Sequence, residues 1–125
     1  MIKEAYVSFE IARLLKEKNF NEACEHQYYV IDKKLGTYNT TDRSRNPERY
    51  IDAPTHQMVM AWLREKGLFI QIGVVDHSTI TIPEKYYFFR IYENRRYISH
   101  DRTETYYTYE EAVESALKYC LEEVI

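Results

Sequence analysis

The order of apolar and polar positions along this chain predicts alternating helical and extended segments. Ser8 is placed to accept a hydrogen bond from the first amides of a helix, with Glu10 near the positive helix end and Ile11, Ala12, Leu14 and Leu15 as its apolar stripe. Lys16 and Lys18 fall in its last turn, and Asn19-Phe20-Asn21 ends it. Gln27 to Ile31, with Tyr28, Tyr29 and Val30, reads as a short strand. From Gly36 to Ala53 the pattern gives way to Thr, Asn, Ser, Asp, Arg and Pro, which predicts a long polar loop. Arg43, Arg45 and Arg49 alternate there with Asp42, Glu48 and Asp52, so the loop is of mixed charge, and both a flexible connection and a binding role fit it.

Pro54-Thr55 opens a second helix that carries Met58, Val59, Ala61, Trp62 and Leu63 and stops at Gly67, suited to a left-handed cap. Leu68 to Val75 follows as a strand with Leu68, Ile70, Ile72 and Val74 on one face. Asp76-His77-Ser78 is a turn, and Thr79 to Ile82 has the composition of a short extension before Pro83. Lys85 to Tyr92 predicts the next strand, with Tyr87, Phe89 and Ile91 on one side and Tyr86, Phe88, Arg90 and Tyr92 on the other. A turn at Glu93-Asn94-Arg95 leads to a third strand over Arg96 to Ser99, completing a meander. Thr108 and Glu111 match a capping box that opens a last helix, striped by Val113, Ala116, Leu117, Cys120, Leu121 and Val124. Burying Val113, Leu117, Leu121 and Val124 contributes on the order of 6 to 12 kcal/mol before entropy, at about 1.5 to 3 each, so folding alone accounts for the stripe.

An amphipathic helix must cover a sheet face, so these elements predict an α+β two-layer domain. An antiparallel sheet of three to four strands is packed by about three helices, in the order α-β-loop-α-β-β-β-α. No repeat or second-domain boundary is visible, and residues 1–125 read as a single domain with a polar loop at about 36–53.

The runs Tyr6 to Lys18, Ala53 to Met58 with Trp62-Leu63-Arg64-Glu65, and Thr108 to Tyr119 resemble a family of short proteins from gut bacteria of the Bacteroides group and from their phages and mobile elements. The resemblance spans nearly the whole chain, and the Gly36 to Asp52 loop is its least distinctive part. The matching segments are helices, so they imply a fold and not a reaction, and the family brings no assigned catalytic residues. The resemblance implies a bacterial or phage accessory protein, a setting that suits both binding and inhibition of a host protein.

Composition narrows the functional classes. The longest uncharged apolar stretch, Gly67 to Val75, is far short of the roughly 18 residues of a membrane-spanning helix, so no membrane partner is expected. Met1 to Tyr6 has no basic region followed by an apolar core, so the expectation is a cytoplasmic protein without a secretory leader. Cys24 and Cys120 do not make a disulfide framework. The net charge of −3 disfavours a general polyanion binder. Charge is nonetheless uneven. Lys85, Arg90, Arg95, Arg96 and Arg102 outnumber Glu93 and Asp101, whereas six glutamates face only Lys118 from Glu104 onward. The chain has 13 tyrosines, where average composition gives about four, and tyrosine serves both half-buried sheet faces and interfaces.

Three groups of residues invite a chemical reading. Cys24-Glu25-His26 offers zinc ligand types, but a structural site needs four ligands and Cys120 sits on an apolar stripe, so no metal is expected. Asp76-His77-Ser78 has the residue types of a hydrolytic triad, yet consecutive residues cannot align a base between nucleophile and carboxylate. His56 falls in the first turn of the second helix, where the dipole opposes a cation and favours a neutral capping or loop-contacting role. No phosphate-binding glycine loop or dinucleotide fingerprint is present, and no cofactor or catalytic constellation is expected.

The aromatic strand carries the functional expectation. Tyr86, Phe88, Arg90 and Tyr92, with Arg95 and Arg96 close by, supply the rings and cations of either a protein-binding surface or a single-strand nucleic-acid platform. The last four elements also follow the order of double-stranded RNA-binding domains. The acidic start of the last helix, Tyr109-Glu110-Glu111, however, would repel phosphate. The expectation is therefore a non-catalytic module that binds protein, a second copy of itself included. Binding of a nucleic-acid single strand is the alternative, with His56 a further candidate binding residue.

Overall fold

The computed structural model describes residues 3–37, 49–99 and 104–125. Helix α1 covers Phe9–Glu17, and the Ser8 hydroxyl accepts a hydrogen bond from the Ile11 amide at 3.2 Å, as its spacing predicts. Helix α2 covers His56–Glu65 with Thr55 as its N-cap. Helix α3 covers Tyr109–Tyr119 and runs on through a π-helical turn, Cys120–Val124; its N-cap is Thr108, whose hydroxyl accepts from the Glu111 amide. Among the described residues, no helix is long and apolar enough to cross a membrane.

The fold is α+β and the predicted order of elements holds in outline, but the strands divide into two antiparallel three-stranded sheets. The first is built from β1 (His26–Tyr29), β2 (Leu35–Thr37) and β3 (Tyr50–Asp52), with β1 in the centre. Two of its strands, β2 and β3, occupy both ends of the segment predicted to be loop. Residues 38–48, with Arg43, Arg45, Asp42 and Glu48, lie outside the described residues. These short strands carry too little alternation to be read locally; they exist because β1 offers both of its edges. The predicted strand from Gln27 to Ile31 shifts to His26–Tyr29, because the chain turns where the Lys33 amide donates to the Tyr29 carbonyl at 2.7 Å.

The second sheet has the order β4-β5-β6, with β4 at Leu68–Asp76, β5 at Lys85–Glu93 and β6 at Arg96–Tyr97. Gly67, at φ +85°, turns α2 directly into β4. Asn94 and Arg95, both at positive φ, form the tight turn between β5 and β6. Strand β6 is shorter than the predicted span to Ser99, because the Ser99 hydroxyl replaces a backbone partner and accepts from the Ile91 amide at 2.9 Å. Thr79 to Ile82 forms a turn rather than an extension: the Thr79 amide donates to the Ile82 carbonyl, and the Ile82 amide to the Thr79 hydroxyl.

One core cluster joins these parts. Val7, Ile11 and Leu15 meet Val59 and Leu63 of α2, Leu68, Phe89 and Ile91 of the second sheet, and Val113, Leu117, Cys120 and Leu121 of the last helix. Phe20 packs edge-on against Trp62, and Phe9 against Tyr28. The α3 stripe is buried as predicted through Leu121, while Val124 is only half-buried.

Candidate functional site

The register of β4 with β5 sorts every residue of the hairpin by face. On the inner face, Leu68, Phe89 and Ile91 are buried beneath the helices. On the outer face, Phe69 lies opposite Tyr92, Gln71 opposite Arg90, Gly73 opposite Phe88 and Val75 opposite Tyr86. Strand β6 adds Tyr97 opposite Tyr92, their ring centroids 5.5 Å apart. Tyr86, Phe88, Arg90 and Tyr92 thus share one face, and Phe69, Gln71 and Tyr97 join them. Phe69 is 45% exposed although it belongs to a core strand.

Local contacts shape this surface. The Phe88 ring lies across Gly73, where an added Cβ would come within 2.1 Å of it, so the missing side chain makes room for the ring. The Arg90 guanidinium stands 5.1 Å from the Phe88 centroid, a cation–π distance. The Tyr86 hydroxyl donates to Glu84 Oε1 at 2.8 Å, and this bond and the glutamate charge push its pKa up from the ordinary value. Tyr107, 78% exposed, extends the aromatic strip beside Tyr86, with ring centroids 5.9 Å apart. Its neighbour Tyr106 pairs with Tyr87 through two backbone hydrogen bonds and stacks on inner-face Phe89.

Arg95 and Arg96 are exposed at the β5–β6 turn. Arg96 lies opposite Glu93, on the side of the sheet away from Tyr92 and Tyr97, while Arg90 stands on the aromatic side itself. Sequence reading missed Phe69, Gln71 and Tyr97. Alternation along Leu68 to Val75 carried the signal for the first two, since it places every other residue outward.

His56 belongs to another environment. It is 6% exposed at the start of α2, where its amide donates to the Ala5 carbonyl. Its Nε2 stands 3.7 Å from Glu114 Oε2, too long for a hydrogen bond, while Glu114 Oε1 accepts from the Ser8 amide at 2.6 Å. One glutamate of α3 thereby satisfies the start of α1 and faces the start of α2, both favourable positions for negative charge. Nearby, the Tyr28 hydroxyl donates to the Val7 carbonyl at 2.6 Å; burial first, and the Glu114 charge second, push its pKa up. This is a polar junction between helices, apart from the aromatic face.

The remaining candidates resolve into structural roles. Cys24 is buried, with its thiol donating to the Glu22 carbonyl, while Glu25 is exposed, and no cluster of metal-ligating side chains exists among the described residues. Asp76 Oδ1 accepts from the Ser78 amide at 2.9 Å, and hydrogen bonding from Ser78, its side chain first and its amide second, holds the Asp76 pKa below the usual carboxylate value. The Ser78 hydroxyl accepts from the Glu84 amide, so the Asp-His-Ser run builds a turn. Burial pushes the Cys120 thiol up to about 12.

No protein family, curated protein or solved structure matches this chain.

Proposed function

We propose that this protein is a non-catalytic binding module, a bacterial or phage accessory protein, whose outer β4–β5–β6 face docks another protein. The observation that carries the reading is the aromatic strip of Phe69, Tyr92, Tyr97, Phe88 and Tyr86 on the side of the sheet away from buried Phe89 and Ile91, with Phe69 exposed and the other four half-buried. Aromatic rings offer large, stiff contact area at low conformational cost, with hydroxyls and amides at hand to satisfy polar groups of a partner. Gln71 and the Tyr92 hydroxyl, 3.5 Å apart, are such groups. The chain's net charge of −3 favours a protein surface over a polyanion.

The test is side-by-side capture from a lysate of Bacteroides-type bacteria with the wild-type protein and a Tyr92→Ser/Tyr97→Ser variant. A protein retained by the first is then titrated against both baits by calorimetry. The expected result is affinity lowered about tenfold or more by the double substitution, the size of effect two central aromatic contacts supply. Equal affinity for both baits would overturn the reading.

Arg90 stacked on Phe88 favours one second reading, a platform for single-stranded nucleic acid. Saturable, salt-sensitive binding of a labelled single strand, weakened by Arg90→Ala, would put that reading in place of the first.

A further inference from the structure

The second sheet has an edge that no other described strand pairs with. On β5, Tyr87 exchanges two backbone hydrogen bonds with Tyr106, at 2.7 Å each, and the Ile91 carbonyl accepts from the Ile98 amide at 3.0 Å. The odd-numbered residues of β5 therefore turn their backbone groups away from β4, and its even-numbered residues bond to Phe69, Gln71, Gly73 and Val75. By the same alternation, and beyond buried Leu68, the amides and carbonyls of Ile70, Ile72 and Val74 point to the other edge. Among the described residues, nothing hydrogen-bonds to them there. Proteins commonly protect such an edge with a lysine, a proline, a bulge or short length. Strand β4 has none of these: it is nine residues long, pairs with β5 without a break in register, and carries no charge from Leu68 to Val75.

We propose that the free edge of β4 pairs antiparallel with β4 of a second copy, about a twofold axis at Gln71. In this register Ile70 lies opposite the second copy's Ile72, so their outward backbone groups meet in hydrogen-bonded pairs, and Val74 lies over the second copy's buried Leu68, so the inner-face side chains are all apolar. At the ends, Asp76 of each copy reaches the Lys66–Gly67 turn of the other; both Asp76 and Lys66 are exposed, and Asp76 also stands 4.0 Å from Lys85 of its own chain. The strand thus reads alike from either direction about Gln71, as an isologous contact requires. Two chains of net charge −3 can approach here because the strand between those ends is uncharged. Val74, 54% exposed, and half-buried Ile70 and Ile72 are apolar surfaces that the contact would cover. The two sheets would join into one of six strands, with the aromatic outer face continuous across the axis. This edge is a different surface from the face assigned to protein docking above.

Light scattering and sedimentation over a range of concentration, combined with cysteine cross-linking, test the pairing. The expected species is a dimer that Val74→Lys weakens about tenfold or more, since it buries one like charge from each copy in the contact. Val74 is exposed, so the variant's circular dichroism should match wild type. Gln71→Cys lies at a non-hydrogen-bonded pair on the axis, where Cα atoms approach to about 4.5 Å, within the range of a disulfide. It should cross-link to its own copy under mild oxidation, and Phe69→Cys, facing the second copy's Gly73, should not. A monomer at every concentration, a dimer indifferent to Val74→Lys, or a dimer in which Gln71→Cys fails to cross-link would each overturn the proposal. A dimer lost in Tyr92→Ser/Tyr97→Ser but kept in Val74→Lys would move self-association to the aromatic face and would also overturn the edge pairing.

Discussion

The two sides of β5 have nearly the same chemistry and opposite surroundings. Tyr87, Phe89 and Ile91 point inward, where Phe89 and Ile91 are buried and Tyr106 and Tyr119 stand ring to ring with Phe89 at 6.1 and 6.3 Å. Tyr86, Phe88, Arg90 and Tyr92 point outward, among the described residues meeting sheet neighbours and, at Tyr86, the ring of Tyr107. Aromatic content therefore does not by itself mark a core. What separates the two sides is that α3 continues over one of them, bringing Val113, Leu117 and Leu121 into the same cluster as Phe89 and Ile91. The inner rings contribute to stability through removal from water, while the outer rings keep contact area available for something else.

That contrast can be broken most forcefully at Phe89. Phe89→Ala should cost about 3 to 5 kcal/mol in urea unfolding, by lost burial and the cavity it leaves, whereas Tyr92→Ala on the opposite side should cost under about 1 kcal/mol. Equal losses would mean that the outer face is covered too. A smaller effect is expected at the hydrogen bond that holds the inner side of β5 where β6 gives out. Ser99→Ala leaves the buried Ile91 amide without its acceptor and should cost about 1 to 3 kcal/mol, seen in the same unfolding experiment. A loss below about 0.5 kcal/mol would show that another group takes the amide.

The gentlest probe is alkaline pH. The Cys120 thiol, buried with the inner cluster, has its pKa raised from 9.0 to about 12 by burial, so the folded protein keeps a proton there that the unfolded chain gives up. Proton binding then favours the folded state increasingly less as pH rises, and stability should decline from about pH 9 to pH 12. Tyr28, raised in the same direction, adds to the decline. Cys120→Ala should flatten the profile over that window; an unchanged slope would assign the loss to other groups.

Legibility in the sequence followed the range of the interaction. Ser8, Thr55 and Thr108 each cap a helix through an amide three residues on, and Gly67 supplies a left-handed backbone at the end of the second helix, so all four were readable from neighbouring residues. The division of β5 into two faces was equally local, because a strand alternates with period two. The Glu114 partner of His56 and the pairing of β2 and β3 with β1 were not readable, since each joins segments far apart in the chain through geometry that no local pattern encodes.

The chain by itself determined where helices start and stop, that helices and antiparallel strands combine in an α+β fold, and which residues of β5 share a side. Those properties arise from backbone conformation and spacing within a few residues. Only the tertiary structure decided that the strands form two sheets, which side of β5 meets the core, that Phe69 and Tyr97 join the aromatic strip, and that β4 is the outer strand of its sheet among the described residues. Each of these depends on which distant segment arrives to cover a face or pair an edge, and a polypeptide's local energetics place no constraint on that choice until the segments meet.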